Sequence, residues 1–398
     1  MATNGSYRWS IFLLAICLLI TWNYWMPLFI WSTPFTSLYG GPISDFYTFH
    51  QAGRAWLTHR NPYNQTGPAA GFVYPPTSLP FYGMFASFDF RIASQLWFIV
   101  YFSVFLVALL TLALTIKGER RYLYASFAVV LFLTSYPLLV LIQWGQSDLL
   151  IAGIAILALV GERLNHRLTS AVLLSIATLL KGPAVVLLIY FVLFRRDFRY
   201  LGYYLVSTLL IVGASLLVVP VGLYAYYLGN VVPALSISSN AETQSVVRYL
   251  PLLDMSKISP LVSAAGVLLF SYFSFWAGSK HFPIASQRSL TADAMFLMNV
   301  LVTLQFNPRN ASYEYVSVIL PLALFLSTLL MEHTKLWYLA LVGFSTFLLN
   351  SVVSPEFLGF RTFPLELIGN LLLTFSIILI YFYPTTIFRR VSKMSTSV

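Results

Sequence analysis

The residue in this chain best suited to proton transfer is Asp45. It follows Gly40-Gly41-Pro42-Ile43-Ser44 and opens the stretch Phe46-Tyr47-Thr48-Phe49-His50-Gln51-Ala52-Gly53-Arg54. A glycine-proline turn followed by an amphipathic run describes a short helix, and an Asp at its start has two readings. It caps the helix by accepting backbone N–H bonds, or it acts as a general base that takes a proton from a hydroxyl attacking a sugar carbon. Only 13 acidic residues occur in the chain, so few other carboxylates compete for the second role. A second polar cluster, Gln143-Trp144-Gly145-Gln146-Ser147-Asp148, lies between two apolar runs. There Gln146 and Asp148 can hydrogen-bond a sugar or acceptor, or Ser147 or Asp148 can cap the following helix.

Cations stand out for a different reason. Lys181, Arg248, Arg309 and Arg361 interrupt apolar or outward-facing sequence against the prevailing distribution of charge. An ammonium or guanidinium there suits a phosphate; Lys181, Arg248 and Arg309 are the candidates for a donor phosphate. The structural alternative is pairing with Glu242, Asp254, Glu314 or Glu356. Tyr47, Trp56, Tyr63 and Tyr74 are placed to stack on sugar rings. Asn61-Pro62-Tyr63 and Tyr74-Pro75-Pro76 also read as turns that bring a loop back to a membrane surface. His50 and His59 match no metal-ligand spacing; both read as interfacial polar residues, His50 as one that meets sugar or acceptor. No Asp-x-Asp pair is present, which argues against a required cofactor, with a divalent metal left open.

These residues are held by a hydrophobic scaffold. Of 398 residues, 59% are hydrophobic and 9% charged, which excludes a soluble globule with a charged surface. Apolar runs predict helices near 9–31, 91–116, 122–142, 147–161, 201–219, 260–278, 292–307, 314–331, 336–353 and 364–384. The fold expected is an all-α multi-pass membrane bundle of about 10–13 helices, residues 1–398 forming one domain, with amphipathic helices in the first outer loop. The first run is too long for a signal-peptide core and is expected to remain as a helix. Residues 75–88 read as an interfacial helix. The single cysteine, Cys17, rules out an intramolecular disulfide framework and Cys-based metal sites.

The 23 basic residues fall in small groups between apolar runs, near 117–121, 163–167, 195–199 and 389–393. Such groups set membrane orientation and do not form the single stripe of a nucleic-acid binder, so both termini are expected in the cytoplasm, with the plasma membrane the expected location. Residues 169–194 carry basic groups on both sides and Lys181-Gly182-Pro183 in the middle. Either the segment enters and returns as two arms of about 17 Å with Lys181 at the turn, or it is one kinked span with a buried lysine.

Taken in order, the motifs resemble the polyprenyl-phosphate-mannose-dependent mannosyltransferases of the glycosyltransferase C superfold. The resemblance runs from about Gly40 to Pro321. It rests on Asp45, Asn61-Pro62-Tyr63, Tyr74-Pro75-Pro76, Gly145-Gln146, Lys181-Gly182-Pro183 followed by Arg195-Arg196, and Gln244-Ser245 with Arg248. It implies an inverting transferase that takes a sugar from a polyprenyl phosphate at the outer face and gives it to a lipid or glycan acceptor. Asp45 matches the family's loop carboxylate, and Gln244 joins the polar residues around the sugar. The family often has Ser-Trp-x-His-His in a late loop, whereas here Ser312 is followed by Tyr313, Glu314 and Tyr315; Glu314 is the candidate for a polar or proton-handling part there. The competing reading is a transporter or flippase for lipid-linked or amphipathic substrates. No internal repeat of the kind found in many such proteins is present.

Overall fold

The computed structural model describes residues 45–64, 71–237, 258–279, 285–307, 312–332, 334–349 and 365–388. The expected first helix at 9–31, together with Gln244, Arg248, Arg309 and Arg361, lies outside the described residues.

The first described elements are two short helices, α1 (Asp45–Leu57) and α2 (Leu79–Ala86). Alternation of Phe46, Phe49, Ala52 and Gly53 with polar residues gives α1 one buried face. That face meets α2 so closely that a Cβ on Gly53 would lie 2.7 Å from the Tyr82 carbonyl oxygen. Only a residue without a side chain allows this crossing. α2 has 8 residues, about 12 Å of helix, far short of a membrane crossing.

α3 (Phe90–Thr115), α4 (Glu119–Leu133), α5 (Tyr136–Trp144) and α6 (Asp148–Arg163) follow. The run expected as one helix over 122–142 is broken. Pro137 has no N–H to donate within a helix, so α4 ends before it, and the Ser135 hydroxyl caps α5 by accepting from the Leu138 N–H at 3.2 Å. α3 and α6 run side by side in the same direction: Trp97 reaches Gly145, and Gly153 packs against the Phe105 backbone.

α7 (Arg167–Leu180) climbs back along α6, and after Lys181 the chain descends through a 3-10 turn (Gly182–Leu187) and a π-helical turn (Ile189–Phe194). Both ends of this excursion are pinned together. Arg167 pairs with Asp197 at 3.0 Å and Arg195 with Glu162 at 2.6 Å, while Lys181 reaches Asp148 at the opposite end of α6. The segment is therefore a hairpin with Lys181 at its turn. α8 (Phe198–Leu216) then rises parallel to α7, tied to it by Ser170 with Tyr200 and Ser175 with the Tyr204 carbonyl.

Past the short helices α9 (Val221–Tyr226) and α10 (Val232–Ile237), the remaining elements are α11 (Ser259–Ser279), α12 (Ala285–Phe306), α13 (Ile319–Met331), α14 (Leu336–Leu349), α15 (Leu365–Phe382) and α16 (Pro384–Ile387). The described residues contain no β-strand, only an isolated bridge between Thr334 and Phe388. Five helical segments among them are long and apolar enough to cross a membrane: Phe90–Thr115, Phe198–Leu216, Pro260–Ser279, Ser289–Phe306 and Glu314–Met331. The last two are mostly buried, whereas α8 and α11 expose leucines such as Leu209, Leu210, Leu268 and Leu269, as lipid-facing helices do. This is an all-α multi-pass membrane protein.

Candidate active site

Asp45 is the first residue of α1, and α1 is locked in place by its aromatic face. Phe46 stacks on Trp97 with ring centroids 5.5 Å apart, and Phe49 stacks on Tyr82 at 4.8 Å. Apolar burial of this kind fixes the helix start from which the carboxylate projects. One carboxylate oxygen, Oδ2, accepts a hydrogen bond from the Gln146 side-chain N–H. The Gln146 carbonyl oxygen in turn accepts from the Tyr74 hydroxyl at 3.1 Å. Tyr74 is buried, which pushes its hydroxyl well above the usual phenol range and keeps it a donor.

Gln146 reaches this point because of the residue before it. Gly145 ends α5 in the left-handed region at φ 67°, where a side chain would be strained, and its carbonyl accepts from the Trp97 ring N–H at 2.8 Å. Three residues beyond Gly145, α6 begins at Asp148, so the turn between α5 and α6 carries an amide and a carboxylate two positions apart.

Asp148 belongs to a second group. Lys181, at the hairpin turn, donates to Asp148 Oδ1 at 2.6 Å and to Glu314 Oε1 at 3.1 Å. The other Glu314 oxygen accepts from the Asn307 amide at 2.8 Å, which ties the end of α12 to the 3-10 turn Ser312–Val318. Asp148 Oδ2 is buried and has no protein hydrogen-bond partner, an arrangement that favours a ligand donor or water. Two carboxylates share one ammonium here. The pairing with Glu314 is one of the alternatives that the sequence offered for Lys181.

Beneath the triad opens a cleft of about 590 Å³, counted together with the solvent-filled space at its opening. Its mouth is formed by Asp148, Lys181 and Glu314, and its walls by apolar residues of α6 and α12 such as Ile151, Ala155, Phe296, Val300 and Leu304. From Asp148 to Ile156 the wall is about 12 Å deep, given the helical rise. A polar opening over an apolar slot suits an amphiphile whose polar head remains at the top.

Other expected residues are placed differently. The Tyr63 hydroxyl donates to the Tyr74 carbonyl at 2.9 Å, and its ring packs on Tyr226 and Tyr227 with centroids 5.9 Å away. Tyr63 thus braces the loop that carries Tyr74. The His50 Nε2–H donates to the Phe88 carbonyl at 3.0 Å, and its ring lies against Phe46 and Phe90. Among the described residues, no group of three or more His, Cys, Asp or Glu side chains has metal-binding spacing.

Two contributors escaped the sequence reading. Asn307 stood only as the last residue of the helix expected at 292–307, and its contact with Glu314 reveals it. Trp97 was one aromatic in an apolar run; its ring N–H, which requires an acceptor when buried, was the available signal.

The sequence profile of glycosyltransferase family 87 matches residues 72–308, more than half of the chain. A comparison with curated proteins finds no match. The profile match contains Tyr74, Gln146, Asp148 and Lys181, begins after Asp45 and ends just before Glu314. With its all-α membrane fold and a charged mouth over an apolar cleft, the chain belongs to glycosyltransferase family 87 and is an integral-membrane transferase.

Proposed function

We propose that this transferase moves a hexose, mannose, from a polyprenyl-phosphate donor to a hydroxyl of a lipid or glycan acceptor at the outer face of the plasma membrane, with both termini in the cytoplasm. The observation that carries this reading is the joining of Asp45, through Gln146, to the turn bearing Asp148 at the mouth of an apolar-walled cleft. In one displacement, the acceptor oxygen attacks the anomeric carbon as Asp45 takes its proton. The bond from that carbon to the phosphate oxygen breaks, and polyprenyl phosphate leaves. A single displacement inverts the anomeric configuration.

Electrostatics divides the remaining roles. Among the described residues Asp148 and Glu314 share one ammonium, Lys181, and Gln146 links Asp45 to the turn that carries Asp148, so sugar hydroxyls find acceptors here. Asp148 Oδ2, Glu314, Gln244, Tyr63 and Tyr74, with His50 of α1, are assigned to the sugar and acceptor side. Charge on the departing phosphate is assigned to Arg248 and Arg309, with Lys181 as the third cation; preorganised cations at that position stabilise the transition state. Arg309 lies two residues beyond Asn307 in sequence.

The test is transfer by purified protein given radiolabelled polyprenyl-phosphate mannose and a lipid and glycan extract of the host membrane. Wild type is expected to label an acceptor with inverted anomeric linkage, and Asp45→Asn to lose about 100-fold or more in kcat while staying folded. Equal activity in Asp45→Asn would remove it as the base and send the search to Asp148 or Glu314.

A further inference from the structure

A side-chain amide offers a donor at one end and an acceptor at the other, and both ends of Gln146 are engaged by protein groups. Its N–H donates to Asp45 Oδ2 and its carbonyl accepts from the Tyr74 hydroxyl. The orientation is chemically determined. A flipped amide would set its carbonyl oxygen against a carboxylate oxygen, two acceptors with no proton between them, and would leave the Tyr74 hydroxyl facing an N–H.

The backbone beneath this amide is equally fixed. Gly145 and Gln146 both donate to the Leu141 carbonyl, at 2.8 and 3.2 Å, and the Gly145 carbonyl is held by Trp97. Trp97 is fully buried, and its ring face carries Phe46, the neighbour of Asp45. One indole therefore anchors the residue beside the carboxylate and the residue beside the amide, and so sets the distance between them. Asp45, Asp148 and Lys181 all act electrostatically on the Tyr74 hydroxyl, which places this relay among the charged groups of the mouth.

We infer that Gln146 is a positioning residue for the reaction: held by Tyr74 and by the Trp97 platform, it fixes one oxygen of the Asp45 carboxylate and keeps that carboxylate ionised and aimed. The inference rests on the reading of Asp45 as the base. It gives Gln146 a role through Asp45 and not through contact with sugar. An N–H donated to a carboxylate favours the charged form, so its removal raises the pH at which the base is half ionised.

Three variants test it under the radiolabelled transfer assay: Asp45→Asn, Gln146→Met, which keeps length without a donor, and Tyr74→Phe, which keeps the ring without the hydroxyl. Gln146→Met is expected to lower kcat about 10- to 100-fold with KM within about twofold. The acid limb of its kcat/KM profile should move up by about one pH unit. Tyr74→Phe should shift the limb in the same direction by less. A rise in KM alone in Gln146→Met would make Gln146 a substrate contact, and an unchanged kcat and profile would give it no role; either overturns the inference. Should Gln146→Met not fold, Tyr74→Phe decides, and an unshifted acid limb there overturns it. Full activity in Asp45→Asn would instead defeat the base assignment, whereas an inactive Asp45→Asn beside a wild-type Gln146→Met defeats the positioning role alone.

Discussion

His50 carries a pH dependence that does not involve the chemistry. Burial lowers its pKa from the usual 6.5, its Nε2–H is given to the Phe88 carbonyl, and its Nδ1 is buried without a partner. A second proton would have to sit on Nδ1, where nothing accepts it. Because the folded pKa lies below the unfolded one, the stabilising contribution is complete above pH 6.5 and is lost as the pH falls below that value. Thermal midpoints measured from pH 8 to 5 should fall more steeply below 6.5 in wild type than in His50→Gln; parallel slopes would count against this reading. At this scale the sequence was partly legible. Asp45, Gln146, Asp148, Lys181 and Glu314 were all singled out by residue type against an apolar background. Their partners were not, since Lys181 meets a residue 33 positions before it and another 133 after it, and no local spacing encodes that. The ring contacts of Tyr63 with Tyr226 and of His50 with Phe90 are equally distant from any local spacing.

Among the elements, two contacts control where the site sits. Gly53 lets α1 touch α2, and Gly83 in α2 is covered by the Trp56 ring, 2.6 Å from where a Cβ would be. Gly53→Ala must push the helices apart, at about 1–3 kcal/mol, and because α1 carries Asp45 the transfer rate should fall along with the melting temperature. An unchanged rate would mean that Asp45 is not held by this crossing. Far from the cleft, Asp293 in α12 is buried and ion-paired with Arg120 of α4 and Arg163 of α6, and it accepts from Thr328 of α13. Four helices meet at this carboxylate. Asp293→Asn leaves two guanidinium groups facing each other, with an expected loss of about 3–5 kcal/mol read as a lower thermal midpoint in detergent. The sequence did hold a signal for this clasp, an acid inside an apolar run, which is rare without a partner. Hairpin geometry at Lys181 was one of the two readings the sequence offered, favoured by basic groups on both flanks. The break at Pro137 was overlooked when an apolar run was taken as one helix.

In the described bundle, buried ion pairs mark two levels. Asp148 and Lys181 mark one and Arg163 with Asp293 the other, about 22 Å apart along α6 at helical rise. The interval is mostly apolar, with buried neutral groups such as Ser175 and Asn299 hydrogen-bonded to backbone carbonyls. Hydropathy alone predicted this architecture, whereas the cleft was invisible to it, because a groove between α6 and α12 depends on which faces meet. The proposed sidedness, argued from the distribution of basic residues, is testable by labelling. In a Cys17→Ser background, Thr58→Cys should react with an impermeant thiol reagent from outside, and Arg199→Cys only after permeabilisation. Reaction of Arg199→Cys in sealed cells would invert the orientation.

The hairpin at 167–197 has a consequence for how such a chain can vary. Because its two ends are pinned to one another, the segment makes no net change of side, whether it dips or crosses twice. Lengthening or shortening both arms would raise or sink Lys181 while every later helix kept its direction. The depth of the ammonium is thus an adjustable parameter uncoupled from the insertion pattern of the remaining chain, a freedom that a lysine on an ordinary through-going helix does not have.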